Sequence, residues 1–144
     1  MSTIATVLPV AIRIAGLGLL VLVLASPAIP RVLRWRERTA QLQPLTRQVF
    51  WTYATYTWFT NIWFTLIALL LAHQLVEKTA LAAAVTAFIA AYWIGRIAVQ
   101  FLYFDRSDMP TVPFATVAET ALIALFIYLA LTFSFATLVN LGVI

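Results

Sequence analysis

The sequence predicts an all-α integral membrane protein, a four-transmembrane-helix bundle formed by a single domain of residues 1–144. Three observations predict it: 64% of the 144 residues are hydrophobic, only 10% are charged, and the apolar residues fall into four long segments. A soluble domain carries about 25% charged residues, and about 20 apolar residues are enough for a helix to cross a bilayer. We place the helices at residues 4–29, 49–75, 80–104 and 114–141.

The composition excludes several kinds of site. The chain has no cysteine and one histidine, so we predict no metal centre built from Cys or from a His cluster. It also has no Gly-rich phosphate loop, no Ser-His-Asp set and no paired intramembrane carboxylates, and the residues themselves indicate no cofactor. The net charge of +4 comes from arginines concentrated in one loop. We attribute that charge to topology and lipid contact and expect no nucleic-acid partner.

The first helix contains one charge, Arg13. The apolar run 14–25 after it, ending in Ser26-Pro27-Ala28, superficially resembles a signal peptide with a small-residue cleavage site. We predict a retained transmembrane helix instead. Arg13 is then expected to snorkel outward or to pair with another group.

The loop 30–48 predicts the topology. Five arginines and one glutamate give it a net charge of +4, and positively charged loops stay in the cytoplasm. Both termini are then outside, and we expect the protein in a bacterial inner membrane. The loop is mainly a topology signal, but it also offers contacts to anionic lipid headgroups through Arg31, Arg34, Arg36 and Arg38.

The second helix has two different halves. Residues 51–61 are rich in aromatic and hydroxyl side chains, whereas residues 66–72 are aliphatic. The short turn 76–79 makes the second and third helices antiparallel neighbours, and Thr79 is suited to cap the third helix.

The third helix has a polar side and a small-residue side. At helical spacing one face carries Tyr92, Arg96, Gln100 and Tyr103. Small residues that would let another helix approach closely repeat every four positions on the adjoining face, at Ala83, Ala87, Ala91 and Gly95.

Arg96 and Glu119 are predicted to form an ion pair, with Gln100 nearby. Arg96 lies eight residues before Phe104 and Glu119 six residues after Pro113, so both sit about 9–12 Å below the cytoplasmic helix ends. The pair is either a structural bridge that locks helices three and four, or part of a ligand site, since intramembrane charges commonly mark function.

Our first functional hypothesis is a polar, aromatic-lined site in the cytoplasmic half that binds a lipid-like or amphipathic ligand. Arg96 would contact its anionic group. The remaining lining residues are Gln100, Tyr103, Asn61, Tyr53, Tyr56 and Trp58. The alternative is a non-catalytic scaffold or an accessory subunit of a membrane complex. A small transporter is disfavoured because titratable groups are few and no broken helix is evident.

One motif resembles a known family. Trp93-Ile94-Gly95-Arg96, then Tyr103 and a short loop ending in prolines, is similar to the third helix of the membrane-associated proteins in eicosanoid and glutathione metabolism (MAPEG). The resemblance implies four helices with outer termini, a homotrimer with sites between subunits, and glutathione as the cosubstrate of a transferase. It places Asn61 at the family's helix-two asparagine. Residues 61–67 read Asn-Ile-Trp-Phe-Thr-Leu-Ile where the family has Asn-x-x-Glu-x-x-Pro, so whether the chain is an enzyme stays open.

Overall fold

In the computed structural model, the described residues, 2–104 and 113–144, form helices joined by short turns. The predicted cytoplasmic loop at 105–112 lies outside these residues. No strand occurs in the described ranges. The helices are α1 (Ser2–Ala25), α2 (Ala28–Val32), α3 (Trp35–Thr39), α4 (Pro44–Leu70), α5 (Ala80–Leu102) and α6 (Pro113–Asn140). A 3₁₀ turn, Gln74–Val76, lies between α4 and α5.

Three helices in the described part of the chain are long and apolar enough to cross a membrane. They are Thr3–Ala25, Ala80–Leu102 and Phe114–Asn140. The fold is therefore that of an α-helical membrane protein. The helix α4 has 27 residues but is not one of the three, because its first half is rich in threonine, tyrosine and tryptophan.

Three helix boundaries differ from the predicted ones by several residues. The first helix ends at Ala25 rather than residue 29, and the short helix α2 begins soon after Pro27. The second helix begins at Pro44 rather than residue 49, and it ends at Leu70 rather than residue 75. Proline suits a first helical position because its fixed φ is already helical and its missing N–H has no partner there. The third and fourth predicted helices correspond to α5 and α6, and both end within two residues of their predicted limits.

The chain packs as two compact units. The α5–α6 unit comprises residues 1–15 and 71–144, and the α4 unit comprises residues 16–70.

Within the α5–α6 unit, α5 and α6 are antiparallel and pack against each other. Trp93 on α5 stacks on Phe126 of α6 with ring centroids 5.1 Å apart. The hydroxyl of Tyr128 on α6 donates to the Ala11 carbonyl at 2.8 Å, which ties the first half of α1 to this pair. The predicted cap is confirmed, because the Thr79 side chain accepts from the Ala82 amide at 3.0 Å.

The small-residue stripe of α5 does not form the contact predicted for it within the chain. Ala87, Ala91 and Gly95 are exposed, and a Cβ built on Gly95 meets no described atom within 4 Å. The buried face of α5 is instead formed by Ala82, Thr86, Ile89, Ala90 and Trp93.

The buried side-chain amide of Asn140 connects the end of α6 to the turn before α5. Asn140 Nδ2 donates to the Leu75 carbonyl at 2.7 Å and to Thr86 Oγ1 at 3.4 Å. Its Oδ1 accepts from the Lys78 amide at 3.0 Å. Lys78 itself has φ 61°, in the left-handed region. Asn140 therefore satisfies backbone groups of the turn that no helix can satisfy.

In the α4 unit, the second half of α1 runs antiparallel to the second half of α4. The indole of Trp58 donates to the Val23 carbonyl at 2.9 Å. Toward the other end, a Cβ built on Gly16 would lie 2.8 Å from Leu69 Cδ2 and 3.1 Å from Ala68 Cβ. A larger residue at position 16 would require the Leu69 side chain to shift, so glycine suits the close approach of the two helices there.

Five threonine hydroxyls of α4 are bonded inside the helix. Each of five threonines donates to the carbonyl four residues earlier, at 2.8–2.9 Å: Thr52, Thr55, Thr57, Thr60 and Thr65. Such internal bonds leave little unsatisfied polarity on the helix surface.

Replacing Asn140 should weaken the fold. We expect Asn140→Ala to lower the free energy of unfolding by about 2–3 kcal/mol, because two buried backbone groups lose their partners. Chemical denaturation in detergent measures this. Thr120→Val is the matched control on α6, since its hydroxyl is exposed and bonds its own helix at Thr116. Equal effects of the two substitutions would contradict the role of Asn140.

Replacing Lys78 by glycine should stabilise the fold. A left-handed φ is strained for lysine and free of strain for glycine, so Lys78→Gly should raise the free energy of unfolding by about 1 kcal/mol. Glu77→Gly is the control, because Glu77 has φ −79° and glycine there brings no relief. A loss of stability in Lys78→Gly comparable to that in Glu77→Gly would refute the argument.

Candidate functional site

A chain of polar side chains crosses from α5 to α6. Arg96 Nη1 donates to Gln100 Oε1 at 3.2 Å. Gln100 Nε2 in turn donates to Glu119 Oε2 at 3.2 Å. Arg96 and Gln100 lie one helical turn apart on α5, so their side chains share a face. The amide is the central member because it can accept from a cation and donate to a carboxylate at once.

The cation of this chain also lies against aromatic rings. The guanidinium carbon of Arg96 lies 5.0 Å from the centroid of Phe104 and 5.0 Å from that of Phe126. Phe126 also stacks on Trp93, and the rings of Trp93 and Tyr92 meet edge to face with centroids 5.0 Å apart. Cation–π contacts of this kind are worth about 0.5–2 kcal/mol each, more when desolvated. Arg96 is half-buried and held from several sides.

The direct ion pair between Arg96 and Glu119 stays a prediction. The described contacts connect the two residues through Gln100, which the sequence places beside them. The consequence is that α5 and α6 are linked by hydrogen bonds that do not require the two charges to touch.

Tyr103 lies at the open edge of this region. It follows the last residue of α5, is 75% exposed, and its ring lies 6.5 Å from that of Phe104. Its phenol therefore faces outward from the same helix end that holds Arg96.

The four candidate residues of α4 have different surroundings. Tyr53 and Tyr56 are exposed, at 66% and 63%. Trp58 is occupied by its bond to Val23. Asn61 is buried and donates to the Thr57 carbonyl at 3.1 Å, while its Oδ1 is buried with no partner among the described residues. These residues belong to the α4 unit, so their predicted meeting with Arg96 stays a prediction.

The basic loop contains more structure than its composition suggests. Arg31 lies in α2, and Arg36 and Arg38 lie in α3. Arg34 separates the two helices with φ 55°, a left-handed conformation. All four predicted headgroup arginines are exposed.

The sequence prediction missed a groove beside these arginines. A cavity of about 490 Å³ is lined by Arg36, Thr39, Arg47, Gln48, Trp51 and Thr52. The signal that could have revealed it is Pro44, which starts α4 early enough to place Arg47 and Trp51 four residues apart on one helix face.

A second cavity lies in the α5–α6 unit. It measures about 340 Å³ and its lining is apolar except at Lys78 and backbone atoms. Arg96 lines neither cavity.

These features define an α-helical protein with membrane-capable helices, an arginine–amide–carboxylate chain and a basic, tryptophan-lined groove. In the described ranges no three His, Cys, Asp or Glu side chains are grouped so as to hold a metal ion. Comparison of the chain with models of protein families, with curated proteins and with solved structures finds no match.

The bridging role of Gln100 can be measured by a double-mutant cycle. We expect Gln100→Ala and Glu119→Ala each to lower the free energy of unfolding, with a coupling energy of about 0.5–1.5 kcal/mol because each removes the same hydrogen bond. Unfolding in detergent of the two single variants and the double variant provides the numbers. A parallel cycle between Gln100 and exposed Thr116 is the control, and equal coupling in both cycles would contradict the bridge.

Proposed function

We propose that the chain is an integral membrane protein of four spanning helices, with α4 as the fourth. Support comes from the α4 unit, where the second half of α4 lies beside Gly16–Ala25 through the Trp58–Val23 bond and the close approach at Gly16. Those residues of α1 belong to a membrane-capable span. Since neighbouring antiparallel segments share a depth, α4 would lie in the same layer, and its internally bonded threonines lower the cost of lipid contact.

The proposed orientation places the segment 30–48 in the cytoplasm and both termini outside, in a bacterial inner membrane. Its support is the positive-inside rule applied to the arginines of this segment. The same topology, with the Arg96 and Tyr103 pattern, supports a MAPEG-like fold.

The function we infer is binding of an amphipathic ligand with an anionic group at Arg96. One observation carries it: the contacts described for the guanidinium are with an amide oxygen and two phenyl rings, none of which bears a negative charge. A half-buried cation in such surroundings attracts an anion strongly, because few water molecules compete for it. Gln100 and exposed Tyr103 would add hydrogen bonds to the head of the ligand, and the exposed ring of Phe104 would contact its apolar part.

A MAPEG-type transferase is the catalytic form of this proposal. It would require glutathione, a tripeptide with two carboxylates, and Arg96 is the cation best placed to bind one of them. A homotrimer follows from the same resemblance.

A second candidate function is a non-catalytic scaffold or accessory subunit. It is favoured by the Gln100 bridge, since the polar chain already links α5 to α6 and uses part of the hydrogen-bonding capacity of Arg96. In that case the arginine stabilises the helix pair and binds nothing else.

Calorimetry on the purified chain in dodecyl maltoside tests the ligand hypothesis. Oleate serves as an anionic amphiphile and oleyl alcohol as its uncharged counterpart. We expect oleate to bind more tightly than the alcohol, and Arg96→Gln to weaken oleate binding at least tenfold, as expected for loss of a charge-assisted contact. Arg13→Gln is the control for loss of one positive charge elsewhere.

Two outcomes would overturn parts of this proposal. If Arg96→Gln unfolds more easily but binds oleate as the wild type does, the scaffold function stands in its place. An absence of heat with millimolar glutathione would remove the transferase form and leave the lipid-like ligand.

A further inference from the structure

We propose that the groove between α3 and the start of α4 is a binding site for the phosphate headgroup of an anionic phospholipid. The site is separate from Arg96 and belongs wholly to the α4 unit. Two arginines and one glutamine provide the polar contacts, and Trp51 forms an aromatic wall.

Aromatic side chains next to the groove hold α3 against α4. Trp35 lies 5.0 Å from Phe50 and 6.1 Å from Trp51, both edge to face. Such rings pack with little freedom, because they have few rotatable bonds and large contact areas. The two helices that carry the arginines are thereby kept at a defined separation.

A partly buried hydrogen bond orients the Trp51 wall. The indole of Trp51 donates to Thr39 Oγ1 at 3.2 Å, and that hydroxyl donates to the Trp35 carbonyl at 2.6 Å. Thr39 is only 6% exposed. The hydrogen bond to Thr39 fixes the plane of the Trp51 ring, so this wall of the groove is preformed.

The charge of the groove selects a phosphate. Its described lining contains the guanidinium groups of Arg36 and Arg47 and the amide of Gln48, and no carboxylate. Guanidinium forks match the geometry of phosphate oxygens. No acidic residue occupies the first turn of α4, so the positive end of that helix dipole adds to the attraction.

The depth of the groove selects a lipid rather than a free anion. Trp58 is level with Val23, near the end of the membrane-capable span that closes at Ala25. Trp51 lies seven residues before Trp58, about 10 Å further along α4. That distance carries it just past the hydrocarbon edge into the headgroup layer, which extends for about 5–7 Å on each side of a bilayer.

The volume agrees with this occupant. A cavity of about 490 Å³ lies within the range of sites for small organic molecules, and it exceeds what a bare phosphate ion fills. It has room for a phosphate together with its glycerol or the group esterified to it.

Native mass spectrometry of the full chain in detergent tests the proposal. The probes are phosphatidylglycerol and phosphatidylcholine with identical acyl chains, added at equal concentration. We expect the wild type to retain phosphatidylglycerol preferentially and Arg36→Gln with Arg47→Gln to reduce that preference at least tenfold. Arg31→Gln with Arg34→Asn is the matched control: it removes the same charge outside the groove, and asparagine tolerates the left-handed φ at position 34. It should change the preference less than threefold, since in this proposal the groove recognises the headgroup and the exposed Arg31 and Arg34 do not line it.

Three results would overturn the site. Equal losses in both double variants would mean that the arginines act as a diffuse charge. Absence of any preference in the wild type would mean that no headgroup is recognised. Displacement of phosphatidylglycerol by inorganic phosphate at millimolar concentration would mean that a free anion is the preferred occupant.

A second substitution keeps the test informative if the double variant does not fold. Gln48→Glu places a negative charge in the groove without removing an aromatic contact, and it should reduce phosphatidylglycerol retention at least fivefold. Gln48→Ala is its control, and equal retention in these two variants would contradict the proposal. Binding of oleate at Arg96 should be unaffected by either substitution, because Arg96 does not line the groove, so failure here is distinguishable from failure of the proposed function.

Discussion

Internal satisfaction of polar groups is the constraint on which this structure depends. In a chain that is 64% hydrophobic, an unpaired donor or acceptor facing lipid costs several kcal/mol, as a rough general figure. The protein meets this requirement in three ways. Threonines of α4 bond carbonyls of their own helix, Asn140 serves the backbone of a turn, and Gln100 stands between a cation and a carboxylate. Each solution uses a side chain that both donates and accepts, or a hydroxyl that finds an acceptor within one turn.

The sequence was sufficient to predict those features that depend on local pattern. Hydrophobic length predicts α5 and α6 to within two residues of their observed limits. The cap at Thr79 is predictable because a threonine directly before an apolar helical run is a common N-cap. The neighbourhood of Arg96 and Gln100 follows from helical spacing. The start of α4 was missed because the composition of residues 44–48 is that of a loop, while Pro44 is favoured at a first helical position. The Asn140 contacts were missed because they join residues about 60 positions apart, and no periodicity reports such a pair.

Arg96 and the groove show two different uses of arginine in one chain. Arg96 lies within a membrane-capable helix, where rings and an amide surround it. Arg36 and Arg47 lie beyond the end of a span, where indole and threonine define a recess between them. The first environment strengthens the electrostatic interactions of the cation by excluding water, and the second presents two guanidinium forks beside an indole ring. The positions relative to the helix ends, more than the residue type, separate the two roles.

The internally bonded threonines of α4 have a consequence for biosynthesis. This helix precedes α5 and α6 in the chain, so it leaves the ribosome before those two helices exist. A helix whose hydroxyls depended on those later segments would keep unsatisfied polar groups until they were made. Five threonines of α4 already find acceptors one turn back, so the nascent helix needs neither α5 nor α6 to bond these hydroxyls and can pair first with the part of α1 made before it.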